Sequence, residues 1–136
     1  AAEMGILVMG TLHTNGASQT IDRIVNSFPT DKQPHVRTML STSLRGVISQ
    51  QLVARKGEPG LVAALEIMVN APAVSNLIRQ GKLDQLETAI QGGARIGMRT
   101  MDSALKDLLD QGRITGKTAY ESALEKRKFE DVKELA

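Results

Sequence analysis

The chain has 136 residues, the size of one ordinary domain, and with 41% apolar and 24% charged residues it has enough to bury a core and is not composed like a disordered segment. Seventeen basic residues are spread among fifteen acidic ones for a net charge of +2, and Phe28, Tyr120 and Phe129 are the whole aromatic complement; both facts argue against a nucleic-acid partner held by charge or by base stacking. There is no cysteine, and His13 and His35 lack metal-ligand spacing to another strong ligand, so disulfides and thiolate metal sites are excluded and no metal is expected.

The first predicted element is Ile6 to Asn15, ILVMGTLHTN. Its unbroken apolar run suits a strand buried on both faces, as in the centre of a parallel sheet. Thr11, His13, Thr14 and Asn15 arrive where that strand ends, and in open α/β sheets ligands sit beyond the carboxyl ends of strands. Two readings of His13 stand side by side: a group placed for chemistry, or a buried histidine satisfied by a neighbouring carbonyl.

Asn15 and Gly16 make a turn, and Ala17 or Ser18 can cap a helix to Phe28, closed by Pro29. Thr30 and Asp31 are cap candidates for the next helix, with Pro34 in its first turn. Val36, Met39, Leu40, Leu44, Val47 and Ile48 form its apolar stripe. Ser49 to Ala54 and Leu61 to Val69 then read as two strands joined by Arg55-Lys56-Gly57-Glu58-Pro59-Gly60. Glu66 interrupts the second run, LVAALEIMV, and is expected either on an edge face or paired to a basic residue.

Short helices follow. Asn70 can cap one containing Ala73, Val74, Leu77 and Ile78, ended by Gly81. Leu83 to Gln91 gives another, closed by Gly92-Gly93. Thr100 can cap a third with Met101, Leu105, Leu108 and Leu109 on one face, and Thr115 a last one from Gly116 to Lys128. The tail after Phe129 is expected to fray, and Lys126-Arg127-Lys128 to be a solvated helix end.

The predicted order is thus β-α-α-β-β followed by helices, an α/β class. Residues 1–70 are expected to form the edge part of a larger sheet and residues 71–136 an appended helical subdomain. The chain opens at Ala1-Ala2-Glu3-Met4-Gly5 almost directly into a strand, which suggests a piece of a larger domain. No apolar stretch approaches about 18 residues and no basic leader precedes one, so a cytoplasmic chain without its own membrane span is expected.

Thr115-Gly116-Lys117-Thr118 imitates the end of a phosphate-binding loop, but the loop needs a further glycine where Gln111 stands, and no buried strand precedes it. Gly116 and Lys117 therefore read as the first turn of a capped helix.

GTLHTNGASQTIDRIVNSFP, residues 10–29, closely resembles the His-box region of the secretion and pilus-motor ATPases, which are hexameric RecA-like motors. VRTMLSTSLRGVISQQLV, LEIMVNAPAVSNLIRQGK and GMRTMDSALKDLL continue the resemblance along essentially the whole chain. Assembly and secretion members carry a four-cysteine zinc loop between the two later strands. Here the link is short and free of cysteine, as in the type IV pilus retraction (twitching motility) ATPases. Ala73 to Gln80, AVSNLIRQ, resembles the AIRNLIRE motif of that type with three departures: Val74 for isoleucine, Ser75 for arginine and Gln80 for glutamate.

The resemblance implies the C-terminal part of the RecA-like domain of a cytoplasmic motor, peripheral to the inner membrane, that hydrolyses ATP with Mg²⁺ to retract pili. It implies a homo-hexamer working on a pilus platform protein, with the phosphate loop and catalytic carboxylates upstream of Ala1. His13, Thr11 and Thr14 would sense the nucleotide, and the segment Ala73, Val74, Ser75, Asn76, Leu77, Ile78, Arg79, Gln80 would be output. The chain alone is then expected to be inactive, to bind no nucleotide, and to risk self-association through an exposed sheet edge. The alternative is a stand-alone helical module that binds a partner protein through Ala73 to Gln80 without nucleotide.

Overall fold

The computed structural model describes residues 1–136. Its elements are α1 (Ala17–Asn26), α2 (Gln33–Ser43), β1 (Gly46–Ala54), β2 (Leu61–Val69), α3 (Pro72–Gln80), α4 (Leu86–Gly92), α5 (Met101–Asp110) and α6 (Gly116–Ser122). Short 3-10 turns lie between several of them, and a longer 3-10 stretch covers Lys126–Val132. The chain is of mixed helix and strand, as expected, but its sheet has two strands: β1 and β2 pair antiparallel from Gly46 opposite Val69 to Ala54 opposite Leu61.

The strand expected over Ile6 to Asn15 does not form. Residues 7–13 make no backbone–backbone hydrogen bond, and Leu7 and Met9 are 77% and 88% exposed. A strand completes its hydrogen bonds only against a neighbour, and neither strand of the hairpin runs beside this segment. The expected double burial also fails for β2. Val62, Ala64, Glu66 and Met68 alternate inward, while Leu61, Ala63, Leu65, Ile67 and Val69 are exposed or half-buried, the period-2 pattern of a strand covered on one face. The uncovered face continues onto β1 through Ile48 and Leu52.

Two apolar clusters share the inner face of the hairpin. Toward its turn, Val53, Val62 and Ala64 pack with Met101, Ala104, Leu105 and Leu108 of α5, Ile114, Ala119 of α6, and Phe129. Toward its open end, Met68 packs with Ile21 and Val25 of α1, Val36 of α2, Val74 and Ile78 of α3, and Leu86 and Ile90 of α4. The boundary at residue 70 therefore crosses the second cluster, since α3 and α4 share it with α1 and α2.

Local differences have local causes. Helix α2 ends at Ser43 because Leu44 is extended (ψ 134°), and Val47 and Ile48 pass into β1. Asn70 does not cap α3. Its amide instead donates to the Ser41 and Leu44 carbonyls at 2.9 and 2.8 Å, closing the C-terminal end of α2, while Pro72 opens α3. Helix α6 stops at Ser122, and Ala123 is extended. The tail is docked where fraying was expected: Phe129 is buried and the Lys117 N–H donates to the Leu135 carbonyl.

Candidate functional site

Thr11, His13 and Thr14 lie on the irregular segment that leads into α1. His13 is exposed, so the reading of it as a buried, carbonyl-satisfied histidine is overturned. Neither the Thr11 nor the His13 side chain is held by a hydrogen bond, whereas Thr14 is. Thr20 donates its hydroxyl to the Gly16 carbonyl at 2.8 Å, so at the 2.7 Å contact between the two hydroxyls Thr14 is the donor. The Asn15 N–H donates to Gln19 Oε1 at 2.7 Å, so the last residues before α1 are fixed and the earlier ones are not.

The group that seats α1 is one the sequence left unresolved. Gly16 has no side chain with which to cap the helix, and the Ala17 N–H donates to Glu66 Oε1 at 2.8 Å. Glu66 Oε2 accepts from the Met101 N–H at 3.1 Å, the first residue of α5. The carboxylate is 4% exposed and pairs with no basic side chain, contrary to both expectations for it. Instead two helix N-termini, each with unsatisfied N–H groups and a positive dipole end, stabilise the charge. Glu66 stands between Ala64 of one cluster and Met68 of the other, and each oxygen binds a helix from a different cluster. The only sequence signal was a lone carboxylate in an apolar run.

Ala73 to Gln80 falls on α3, with Val74 and Ile78 fully buried and Asn76, Arg79 and Gln80 exposed. Ser75 donates to the Ser41 carbonyl at 2.7 Å, tying α3 to α2. No hydrogen bond links α3 to Thr11, His13 or Thr14. From α1, the Ser18 hydroxyl donates to the Leu83 carbonyl beyond α3 at 3.1 Å.

A third polar cluster was missed. Asp102, buried on α5, accepts from the Leu124 and Glu125 N–H groups at 2.8 and 3.0 Å. Lys128 lies 2.7 Å from Glu125, 3.5 Å from Glu87 and 3.9 Å from Asp102, so this member of the basic triplet is a tertiary contact and not a solvated helix end. The Glu87, Asp102 and Glu125 oxygens are close enough together to suit a cation, and the Lys128 ammonium supplies one. Its hydrogen bond to Glu125 holds its pKa above the ordinary lysine value against the opposing effect of burial, aided by the charges of Glu87, Glu125 and Asp102.

The Thr115–Thr118 segment does not fit a bound nucleotide. Thr115 accepts from the Thr118 N–H at 3.1 Å as the cap of α6, and Gly116 is pressed against the next segment, where a Cβ would lie 1.9 Å from the Val132 carbonyl oxygen. The GKT sequence is thus a helix start at a close backbone approach, with no cradle of N–H groups for phosphates.

The model of the family described as "Type II/IV secretion system protein" matches residues 1–80. The type IV pilus retraction ATPase PilT of Pseudomonas aeruginosa is 51% identical over 123 residues, covering 90% of this chain and 36% of that protein. A twitching motility protein of Neisseria gonorrhoeae is 49% identical over 123 residues, covering 90% of this chain and 33% of its own length. A solved structure of the pilus retraction motor PilT with bound ADP superposes with a TM-score of 0.80 at 41% identity, covering 93% of this chain and 35% of that one. The chain thus spans about a third of the length of the curated relatives it matches.

Proposed function

The chain belongs to the type II/IV secretion system protein family, and from that premise we propose that it is part of an ATP-driven, hexameric motor for type IV pilus retraction and twitching motility. The observation that carries the reading is the likeness to the ADP-bound retraction motor, which extends over 93% of this chain. Residues 1–70 contribute to an ATPase core and residues 71–136 to its output, a division of labour more than of packing. ATP and Mg²⁺ are held by segments outside these 136 residues.

The uncovered apolar face of the hairpin and the unpaired run at Ile6–Met9 are where the rest of such a core packs. Once seated, the exposed His13 imidazole and the Thr11 and Thr14 hydroxyls present hydrogen-bonding groups to a nucleotide, a positional and electrostatic role. α3 faces the inner-membrane platform protein of the pilus. The motor works at the membrane surface from the cytoplasm; no helix of this chain is long and apolar enough to cross a membrane.

The test compares the 136-residue chain with the longer protein. Mg-ATP is expected to leave the melting temperature of the chain unchanged and to support no turnover. In the longer protein, His13→Ala is expected to lower ATP turnover by about tenfold or more, the loss of roughly 1.4 kcal/mol of transition-state stabilisation. A rise of several degrees for the chain alone would reveal a nucleotide site within it, and unchanged turnover in His13→Ala would remove His13 from the site.

A further inference from the structure

We propose that the groove between the C-terminal end of α2 and the first turns of α3 binds a carboxylate-bearing peptide segment of a partner protein, with Arg45 and Arg79 as its charged contacts. The groove has a volume of about 430 Å³, room for one or two side chains with their backbone. Arg45 and Arg79 both line it. Neither has a carboxylate partner, whereas Arg55 and Arg99 are each ion-paired.

The Arg79 guanidinium is already oriented. It donates to Asn76 Oδ1 at 3.1 Å and lies 3.5 Å from the Ser75 hydroxyl, both on its own helix. Those bonds fix its direction and leave its charge unneutralised. A planar guanidinium held this way matches a carboxylate in two-point fashion.

The floor is tied together at the Ser41 carbonyl, which accepts from both Ser75 and Asn70, while the buried Asn70 Oδ1 is left without a partner. The chain's own Glu3 reaches the rim, where Oε1 accepts from the Thr42 hydroxyl at 3.4 Å, without pairing to either arginine. Ser75 also sets the access. Its short side chain turns to the Ser41 carbonyl and leaves the groove open. The lining contains no lysine, aromatic ring or glycine-rich run, so stacking on a base or wrapping a phosphate is not what it offers. The guanidiniums are the free donors for a carboxylate, and the Asn70 Oδ1, whose amide hydrogens are already given to Ser41 and Leu44, is free to accept a backbone N–H, so the groove suits a peptide with an acidic side chain.

The inference deepens the proposed output role of α3 and rests on that reading for its biological setting. It is tested on the ¹⁵N-labelled chain by titration with a blocked tetrapeptide of two glutamates flanked by glycines, beside the same peptide with glutamines and beside inorganic phosphate. The acidic peptide is expected to shift the amides of Arg45, Ser75, Asn76 and Arg79. Arg45→Gln with Arg79→Gln is expected to weaken it at least tenfold, and so is Ser75→Gln, which lays a long neutral side chain across the groove. These positions are exposed or half-buried, and the amide spectrum of each variant reports its fold.

Equal shifts with the glutamine peptide, shifts mapped elsewhere, tighter binding of phosphate, or binding unaffected by the variants would each overturn the inference. If α3 variants of the longer protein lose pilus retraction while the peptide fails to bind, the groove is wrong and the output role stands. If the peptide binds as expected while those variants retract normally, the output role fails instead.

Discussion

The run Ile6–Asn15 and the run Leu61–Val69 look alike on paper: each is a near-continuous apolar string interrupted by polar groups. One carries no regular structure and the other is the central element of the fold. The difference lies in neighbours. β2 has β1 along one edge, a bridge from Ile67 to Arg99 on the other, two apolar clusters on its inner face, and helix N-termini for its one charge. The earlier run has none of these. Apolar composition makes a strand possible; a hydrogen-bonding partner makes it real.

The largest expected effect comes from Glu66, the polar interruption that the β2 run tolerates. In Glu66→Gln the single amide oxygen can serve only one of the two helix N–H groups, and the NH₂ confronts the other. A buried unsatisfied donor costs about 1–3 kcal/mol, so a loss of about 2 kcal/mol is expected in chemical denaturation. Hydrogen exchange is expected to quicken at whichever of Ala17 and Met101 faces the NH₂. If neither amide loses protection, Glu66 is not the seam between the clusters.

The same dependence on partners separates Lys128 from Lys126 and Arg127, its neighbours in sequence. Lys128→Met is expected to cost less than about 1 kcal/mol, because the ammonium is partly open to water and solvent weakens such pairs. The pH dependence fixes the sign. Since the folded pKa lies above the ordinary lysine value, the contribution is complete below about 10.4 and is lost as pH rises through the folded value. Wild type and Lys128→Met are therefore expected to differ at neutral pH and to converge in strong alkali. A gap that is constant with pH would assign the loss to packing of the lysine stem instead.

What could be read from the sequence was what is decided locally. The Thr100 and Thr115 caps, the stop at Gly81 and the helix-start reading of Gly116-Lys117-Thr118 depend on residues a few positions apart, and the structure has them. Glu66 and Asp102 were illegible for the opposite reason: their partners are 49, 35, 22 and 23 residues distant. Nor could composition tell a strand covered on one face from one covered on two, because Leu65, Ile67 and Val69 are as apolar as the inward-facing Val62 and Met68. At the candidate site, the pattern placed Thr11, His13 and Thr14 at the end of a strand that does not form, and the carboxylate that seats the helix after them lies on β2.

The smallest effect is expected in the unpaired run itself. Leu7 is 77% exposed and residues 7–13 contribute no backbone hydrogen bond, so Leu7→Ser removes little burial and leaves no cavity. Stability at low protein concentration is expected to stay within about 0.5 kcal/mol of wild type, the range of surface substitutions. At high concentration the variant is expected to self-associate less, since an apolar strand-forming run and an open sheet edge on one chain invite pairing between copies. Sedimentation across a concentration series reads the second effect and denaturation of the dilute protein the first. A drop of more than 1 kcal/mol in the dilute protein would mean that Leu7 is packed against the body of the chain, and the contrast with β2 would collapse. An unchanged dilute stability together with weaker association would place the partner of this run on another chain or segment, which is what completion of a larger sheet requires.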